Sequence, residues 1–168
     1  MSSIPELNSV IVAEDNSSLR SVLRSFLVEC GLQVLLAADG VEAVSFAAST
    51  PASLVILDVK MPRMDGLQAC AQIRSLPGYA DVPIVMLSAH ASQSVRDAAR
   101  QAGAKLFLAK PISYQSLRDG ILPLLGGVSI DRPATFEWKR RGEPVPAYGE
   151  SKELAQGRKL LDIYRQGR

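Results

Sequence analysis

The sequence predicts an α/β domain, a doubly wound parallel sheet with helices on both faces. Three observations lead there. Between Ser9 and Leu125, short apolar runs alternate five times with segments of helical period. The runs are continuously apolar, as strands are when helices cover both sheet faces. Four of them close on polar residues: Glu14 and Asp15 after VIVA, Asp58 after LVIL, Ser88 after IVML, and Lys110 after KLFLA.

The elements follow in order. SVIVA and QVLLAA are the first two strands, joined by SSLRSVLRSFLVECG. In that joining segment Leu19, Val22, Leu23, Phe26 and Leu27 recur at three- and four-residue steps and make one apolar helix face. Asn16 or Ser17 caps its start and Gly31 its end. GVEAVSFAAS is a helix, SLVILD a strand, GLQACAQIRSL a helix and PIVMLS a strand. Asp65-Gly66 is a turn ahead of the third helix. SQSVRDAARQAG, AKLFLA and SYQSLRDGILPLL complete the series as helix, strand and helix. Right-handed crossovers allow a flavodoxin-like strand order 2-1-3-4-5, whose switch point lies between the first and third strands. Those two strands end in Glu14-Asp15 and Asp58.

Bulk properties narrow the function classes. The 168 residues are 47% hydrophobic and 21% charged, which excludes a disordered chain. A net charge of +2 is too small to argue for nucleic acid. No apolar run approaches the roughly 20 residues of a spanning helix, and MSSIPELNS lacks the features of a signal peptide. Cys30 and Cys70 show no metal-ligand or redox spacing and read as buried thiols of a reducing compartment. These features point to a cytoplasmic protein.

Strand C-terminal ends lie along one edge of a parallel sheet, so the polar residues converge there. Carboxylates, a hydroxyl and an ammonium are the groups that hold a divalent cation together with a phosphoryl group. A carboxylate attacks phosphorus once the incoming negative charge is neutralised, and Asp58 on the central strand is the candidate nucleophile. Asp15 suits direct Mg²⁺ binding, with Glu14 reaching through water. Lys110 and Ser88 suit the phosphoryl oxygens. Each residue alone reads more readily as a solvated turn residue; the full set in the matching strand slots does not.

VIVAEDN, LVILDVKMPRMDGL, VPIVMLSAH and GAKLFLAKP, in this order and spacing, resemble the receiver domain of bacterial two-component response regulators. The resemblance covers about residues 8–125, and DxxMPxMDG with the final KP is distinctive. It implies that Asp58 is the phosphoacceptor, charged by a histidine kinase or a histidine phosphotransfer protein. It assigns Mg²⁺ to Glu14, Asp15, Asp58 and the backbone carbonyl of Lys60. Ser88 becomes the switch hydroxyl, Lys110 the phosphate-binding lysine and Phe107 the switch aromatic. The Lys110–Pro111 bond is expected to be cis. Phe107 reads equally as a core aromatic, and it lacks the hydroxyl of a tyrosine. The Lys60 side chain either tunes the lifetime of the phosphoryl group or is simply solvated. His90 is either a solvated loop residue or a modulator. The expected behaviour is a switch that catalyses only its own phosphorylation and dephosphorylation, and that changes a surface on the fourth helix, fifth strand and fifth helix.

The domain is assigned to residues 1–127 and a C-terminal extension to 128–168. Residues 1–127 carry 10 Lys and Arg against 11 Asp and Glu, and the extension carries 9 against 6. The extension opens with a Pro/Gly-rich linker and closes on SKELAQGRKLLDIYRQGR, a short basic helix presenting Leu154, Leu161 and Tyr164 and weakened by Gly157. Three readings of it stand: a solvated tail, a helix packed on this or a second copy, or a basic docking segment. Lys139, Arg140 and Arg141 beside Phe136 and Trp138 are its basic-aromatic cluster, a small footprint that disfavours nucleic acid. Dimerisation and the downstream protein stay open. An aspartate-nucleophile hydrolase is disfavoured because Lys60 stands where a second acid belongs. The other alternative is a phosphorylation-independent scaffold acting through its tail.

Overall fold

The computed structural model describes residues 9–125. The 127/128 boundary, the linker, the terminal helix and the basic-aromatic cluster lie outside the described residues.

Five strands alternate with five helices: β1 (Ser9–Ala13), α1 (Ser17–Glu29), β2 (Gln33–Ala37), α2 (Gly40–Ser49), β3 (Leu54–Asp58), α3 (Gly66–Arg74), β4 (Ile84–Ser88), α4 (Gln93–Ala102), β5 (Leu106–Ala109) and α5 (Tyr114–Ile121). A short 3₁₀ turn, Leu122–Leu125, follows. All pairings are parallel and the order is β2-β1-β3-β4-β5. The expected topology therefore holds, and only element ends move, by at most four residues, the largest shift being at the end of α5, where the 3₁₀ turn takes over. The Asn16 carboxamide accepts the Leu19 N–H and caps α1. At its other end Cys30 takes the cap position expected for Gly31, and Gly31 follows at φ 83°.

Continuous apolar strands divide their residues between two cores. Val10, Val12, Leu54, Ile56, Val85 and Leu87 pack on one face against α1 and α5, through Leu19, Leu23, Leu27, Leu117 and Ile121. Ile11, Val55, Leu57, Ile84 and Met86 pack on the other against α2, α3 and α4, through Ala43, Ala47, Ala69, Ile73 and Ala99. Small alanines on that second face let three helices lie close to the sheet. Phe26 meets Tyr114 edge-on at 5.3 Å, joining α1 to α5. Ile56 is fully buried on the central strand, and its truncation to alanine removes about 2–5 kcal/mol. Cys70 is buried as expected, whereas Cys30, at the C-terminal cap of α1, is half-buried. Neither forms a disulfide.

The chain runs outward from β1 to β2, then returns past β1 to β3. The split falls between β1 and β3, so the ends of those two strands open a crevice.

Candidate functional site

The crevice holds the acidic residues. Glu14 follows β1 and is fully buried; Asp58 closes β3 and is 4% exposed; Asp15 is exposed. One carboxylate oxygen from each lies within 4.8 Å of the other two. Lys110, one residue past β5, crosses to them: its ammonium donates to Glu14 Oε2 at 2.8 Å and lies 3.1 Å from Asp58 Oδ1. The Lys110–Pro111 bond is cis.

Three carboxylates gather here and the Lys110 ammonium contacts two of them, so the cluster is short of positive charge. Burial pushes the Glu14 carboxyl up to about 7, against the pull of Lys110 and with help from Asp58. Burial also raises Asp58, against Lys110 and with Asp15 adding to the rise. Burial works against the Lys110 charge, but Glu14 and Asp58 outweigh it and hold the ammonium above the ordinary lysine range. The site thus favours any further cation or proton.

The donor set fits magnesium: hard oxygens, two of them on partly committed side chains. Oxygens sharing one Mg²⁺ at about 2.1 Å stand at most about 4.2 Å apart, so a slight closing of the cluster suffices. Glu14 already takes the Asn16 N–H on Oε1 and Lys110 on Oε2, which suits a ligand acting through water. Asp15 and Asp58 are the carboxylates for direct contact.

The remaining expected residues fall around this core. Ser88 ends β4 and is 2% exposed; its hydroxyl donates to the His90 carbonyl and accepts the His90 N–H, both at 3.0 Å. It is therefore engaged by its own loop. Lys60 and His90 are exposed. Phe107 on β5 is half-buried, and the Arg96 guanidinium lies 4.7 Å over its ring.

Local sequence explains how the loop after β3 turns. Asp65 accepts the Gln68 N–H while Gln68 returns to the Asp65 N–H, a reciprocal cap that starts α3. A Cβ on Gly66 would lie 2.0 Å from the Asp58 carbonyl oxygen, so only glycine lets α3 begin this close to Asp58.

Sequence reasoning missed three residues here. Arg63, in the loop after β3, stands at φ 63° and donates through Nε to Asp39 Oδ2 at 2.6 Å, with Nη2 on the same oxygen. Asp39 Oδ1 caps α2 by accepting the Glu42 N–H. The Arg63 side chain is 58% exposed and that of Asp39 is 7%, so the pair adds little stability, about 0–1 kcal/mol. Burial alone would raise the Asp39 carboxyl, but the Glu42 N–H and Arg63 outweigh it and hold it below the ordinary aspartate range. Arg96 is the third: besides covering Phe107 it donates through Nε to the Ala91 carbonyl at 3.1 Å. An arginine one turn into a helix carries no signal of either contact; only PRMDG, with arginine in a turn, hinted at Arg63.

Known proteins are similar to this chain in sequence and fold. Response regulator MprA of Mycobacterium sp. (strain KMS) is 41% identical over 160 residues, 93% of this chain and 66% of that one. Response regulator MprA of Mycobacterium avium (strain 104) is 43% identical over 108 residues, 64% of this chain and 46% of that one. This chain spans under two thirds of those relatives' lengths. Among solved structures, the chemotaxis protein CheY4 of Vibrio cholerae superposes with a TM-score of 0.67 at 29% identity, over 71% of this chain and 99% of that one. The receiver domain of sensor histidine kinase PA1611 from Pseudomonas aeruginosa PAO1 superposes at 0.64 with 32% identity, over 71% and 95%. That structure has a magnesium ion coordinated in its active-site cleft. The family described as response regulator receiver domain matches residues 10–122, the same stretch that forms the sheet and gathers the acidic crevice, and the chain belongs to that family.

Proposed function

We propose that Asp58 is the phosphoacceptor of a two-component switch, charged by the phosphohistidine of a histidine kinase or phosphotransfer protein. The observation that carries this reading is the buried Asp58 carboxylate gripped on one oxygen by Lys110. An Asp58 oxygen attacks phosphorus as the bond from phosphorus to imidazole nitrogen breaks, and the imidazole leaves with its electron pair. Lys110 holds the acceptor carboxylate in place and pairs with an oxygen of the arriving group. Glu14, Asp15, Asp58 and the Lys60 carbonyl hold Mg²⁺, whose charge offsets that of the phosphoryl group. Glu14 keeps Lys110 aimed at the acceptor through its 2.8 Å bond.

Phosphorylation brings nearly two negative charges and new acceptor oxygens to the end of β3. Ser88 answers by leaving the His90 backbone for a phosphoryl oxygen, which releases the 89–91 loop. Ala91 belongs to that loop, so the Arg96 contact to its carbonyl carries the shift toward Phe107. The α4, β5 and α5 surface is the output face, read by a protein partner. Turnover of an external substrate is not expected, and among the described residues no helix is long and apolar enough to cross a membrane. The test is intact mass after incubation with acetyl phosphate and Mg²⁺. One phosphoryl group is expected on the full chain, and none on Asp58→Asn or after chelation of magnesium. An unmodified wild-type chain, with a kinase mixture also failing, would overturn the proposal in favour of a scaffold.

A further inference from the structure

The loop from Val59 to Asp65 contains Lys60, whose carbonyl is assigned above to Mg²⁺; the inference rests on that assignment. The near end of the loop is tied to the sheet. Val59 N–H donates to the Leu87 carbonyl and Gly66 N–H to the Val59 carbonyl, each at 2.8 Å. Its far end is tied to a different element. Gly40 N–H donates to the Met64 carbonyl at 3.1 Å, a Cβ on Gly40 would lie 2.5 Å from that oxygen, and Arg63 reaches Asp39.

The platform that receives Arg63 is itself fixed. Asp39 Oδ1 accepts the Glu42 N–H at 2.9 Å, and the Glu42 carboxylate accepts the Ala38 N–H at 2.7 Å. Asp39 therefore offers Oδ2 from a nearly buried side chain already held through Oδ1. Arg63 meanwhile is the sole non-glycine residue at positive φ among the described residues. Glycine or asparagine would make this turn with less steric conflict. What arginine adds is reach, a fork of donors long enough to span from the loop to the start of α2.

We propose that Arg63 is a positioning residue of the magnesium site: its bond to Asp39 holds the turn after β3 against the N-terminus of α2 and so keeps the Lys60 carbonyl beside Asp58. Arg63 touches no reacting atom. It acts through the backbone three residues away, and Asp39 is the fixed point it pulls against.

Magnesium titration of the full chain, followed by amide chemical shifts, tests this in wild type, R63G, R63N, D39N and R63G/D39N. Glycine and asparagine both suit the left-handed turn, so neither variant should lose the fold, and melting temperatures serve as the check. R63G and R63N are each expected to weaken Mg²⁺ binding about threefold, within what so weak a contact can transmit to the site. D39N should weaken it less, because its carboxamide still accepts a hydrogen bond. The double variant should bind like R63G, since both changes break one contact. Unchanged affinity in R63G and R63N would overturn the inference. So would a loss in R63G alone, which would trace to glycine's freedom, or losses that simply add. A wild-type chain that binds no Mg²⁺ would take down the metal assignment as well, whereas wild-type binding with unaffected variants takes down this inference only.

Discussion

The two ends of the one sheet treat their charges in opposite ways. At the N-terminal end, where helices return to strands, polar groups are spent on the backbone. Arg74 donates to the carbonyls of Tyr79, Ala80, Val82 and Gly103, the Tyr79 hydroxyl to Thr50, and Ser53 to Ser9 through both N–H and Oγ. At the C-terminal end, Glu14, Asp15 and Asp58 face one ammonium and are left short of positive charge. The first end is complete in itself, and the second carries the charge imbalance on which the proposed phosphoryl and magnesium chemistry rests. A shared sheet thus carries structural polarity at one end and chemical polarity at the other.

Stability should respond with opposite signs at the two ends. Arg74→Ala strands four carbonyls of their charged donor and is expected to cost about 3 kcal/mol in denaturant unfolding, with Mg²⁺ affinity of the folded chain unchanged. Asp58→Asn removes one of three crowded carboxylates and should raise stability by about 1 kcal/mol while removing phosphoryl uptake. A destabilised Asp58→Asn chain would mean that the crevice is already balanced without a ligand, and the comparison between ends would break.

Acidity sharpens the same contrast within the C-terminal end. The raised Glu14 carboxyl binds a proton in the folded chain more tightly than in the unfolded one, so metal-free stability should fall as pH rises from about 4.5 to about 7. Asp39 is held below its ordinary value, so its contribution is present above pH ~4 and is lost as acid protonates it below that. Unfolding measured across pH should show the first slope flattened by Glu14→Gln and the acid loss reduced by Asp39→Asn. Swapped assignments would contradict the electrostatics described here. The smallest effect expected is at Arg96→Ala, where loss of the contact to Phe107 should cost roughly 0.5–1 kcal/mol. Its sharper readout is the Phe107 ring resonance, which should shift in the unphosphorylated chain.

The sequence revealed the chemical end more fully than the structural one. Apolar runs closing on Glu14-Asp15, Asp58, Ser88 and Lys110 announce both the sheet and the edge at which the side chains meet, because a parallel strand has a fixed direction. That order carries no information about which groups are already occupied. Ser88 reads as a hydroxyl aimed at the acceptor, yet it is held by the His90 backbone two residues on, a contact set by the turn rather than by residue type. Arg63 and Asp39 lie 24 residues apart in two different loops, so their meeting depends on how the crossovers close. Arg74 ends an amphipathic helix as many arginines do, and only the path of the following loop makes it a clamp. Phe107 was legible as the position expected to switch, but not the Arg96 guanidinium covering it.

The most direct test of the account is to find where the phosphoryl group goes. The full chain is treated with acetyl phosphate and Mg²⁺, trapped with borohydride, which reduces an aspartyl phosphate to homoserine, and mapped by peptide mass. Homoserine at position 58 alone, dependent on magnesium and much reduced in Lys110→Ala, is the expected result. Reduction at position 15, or at no aspartate in the crevice, would contradict it.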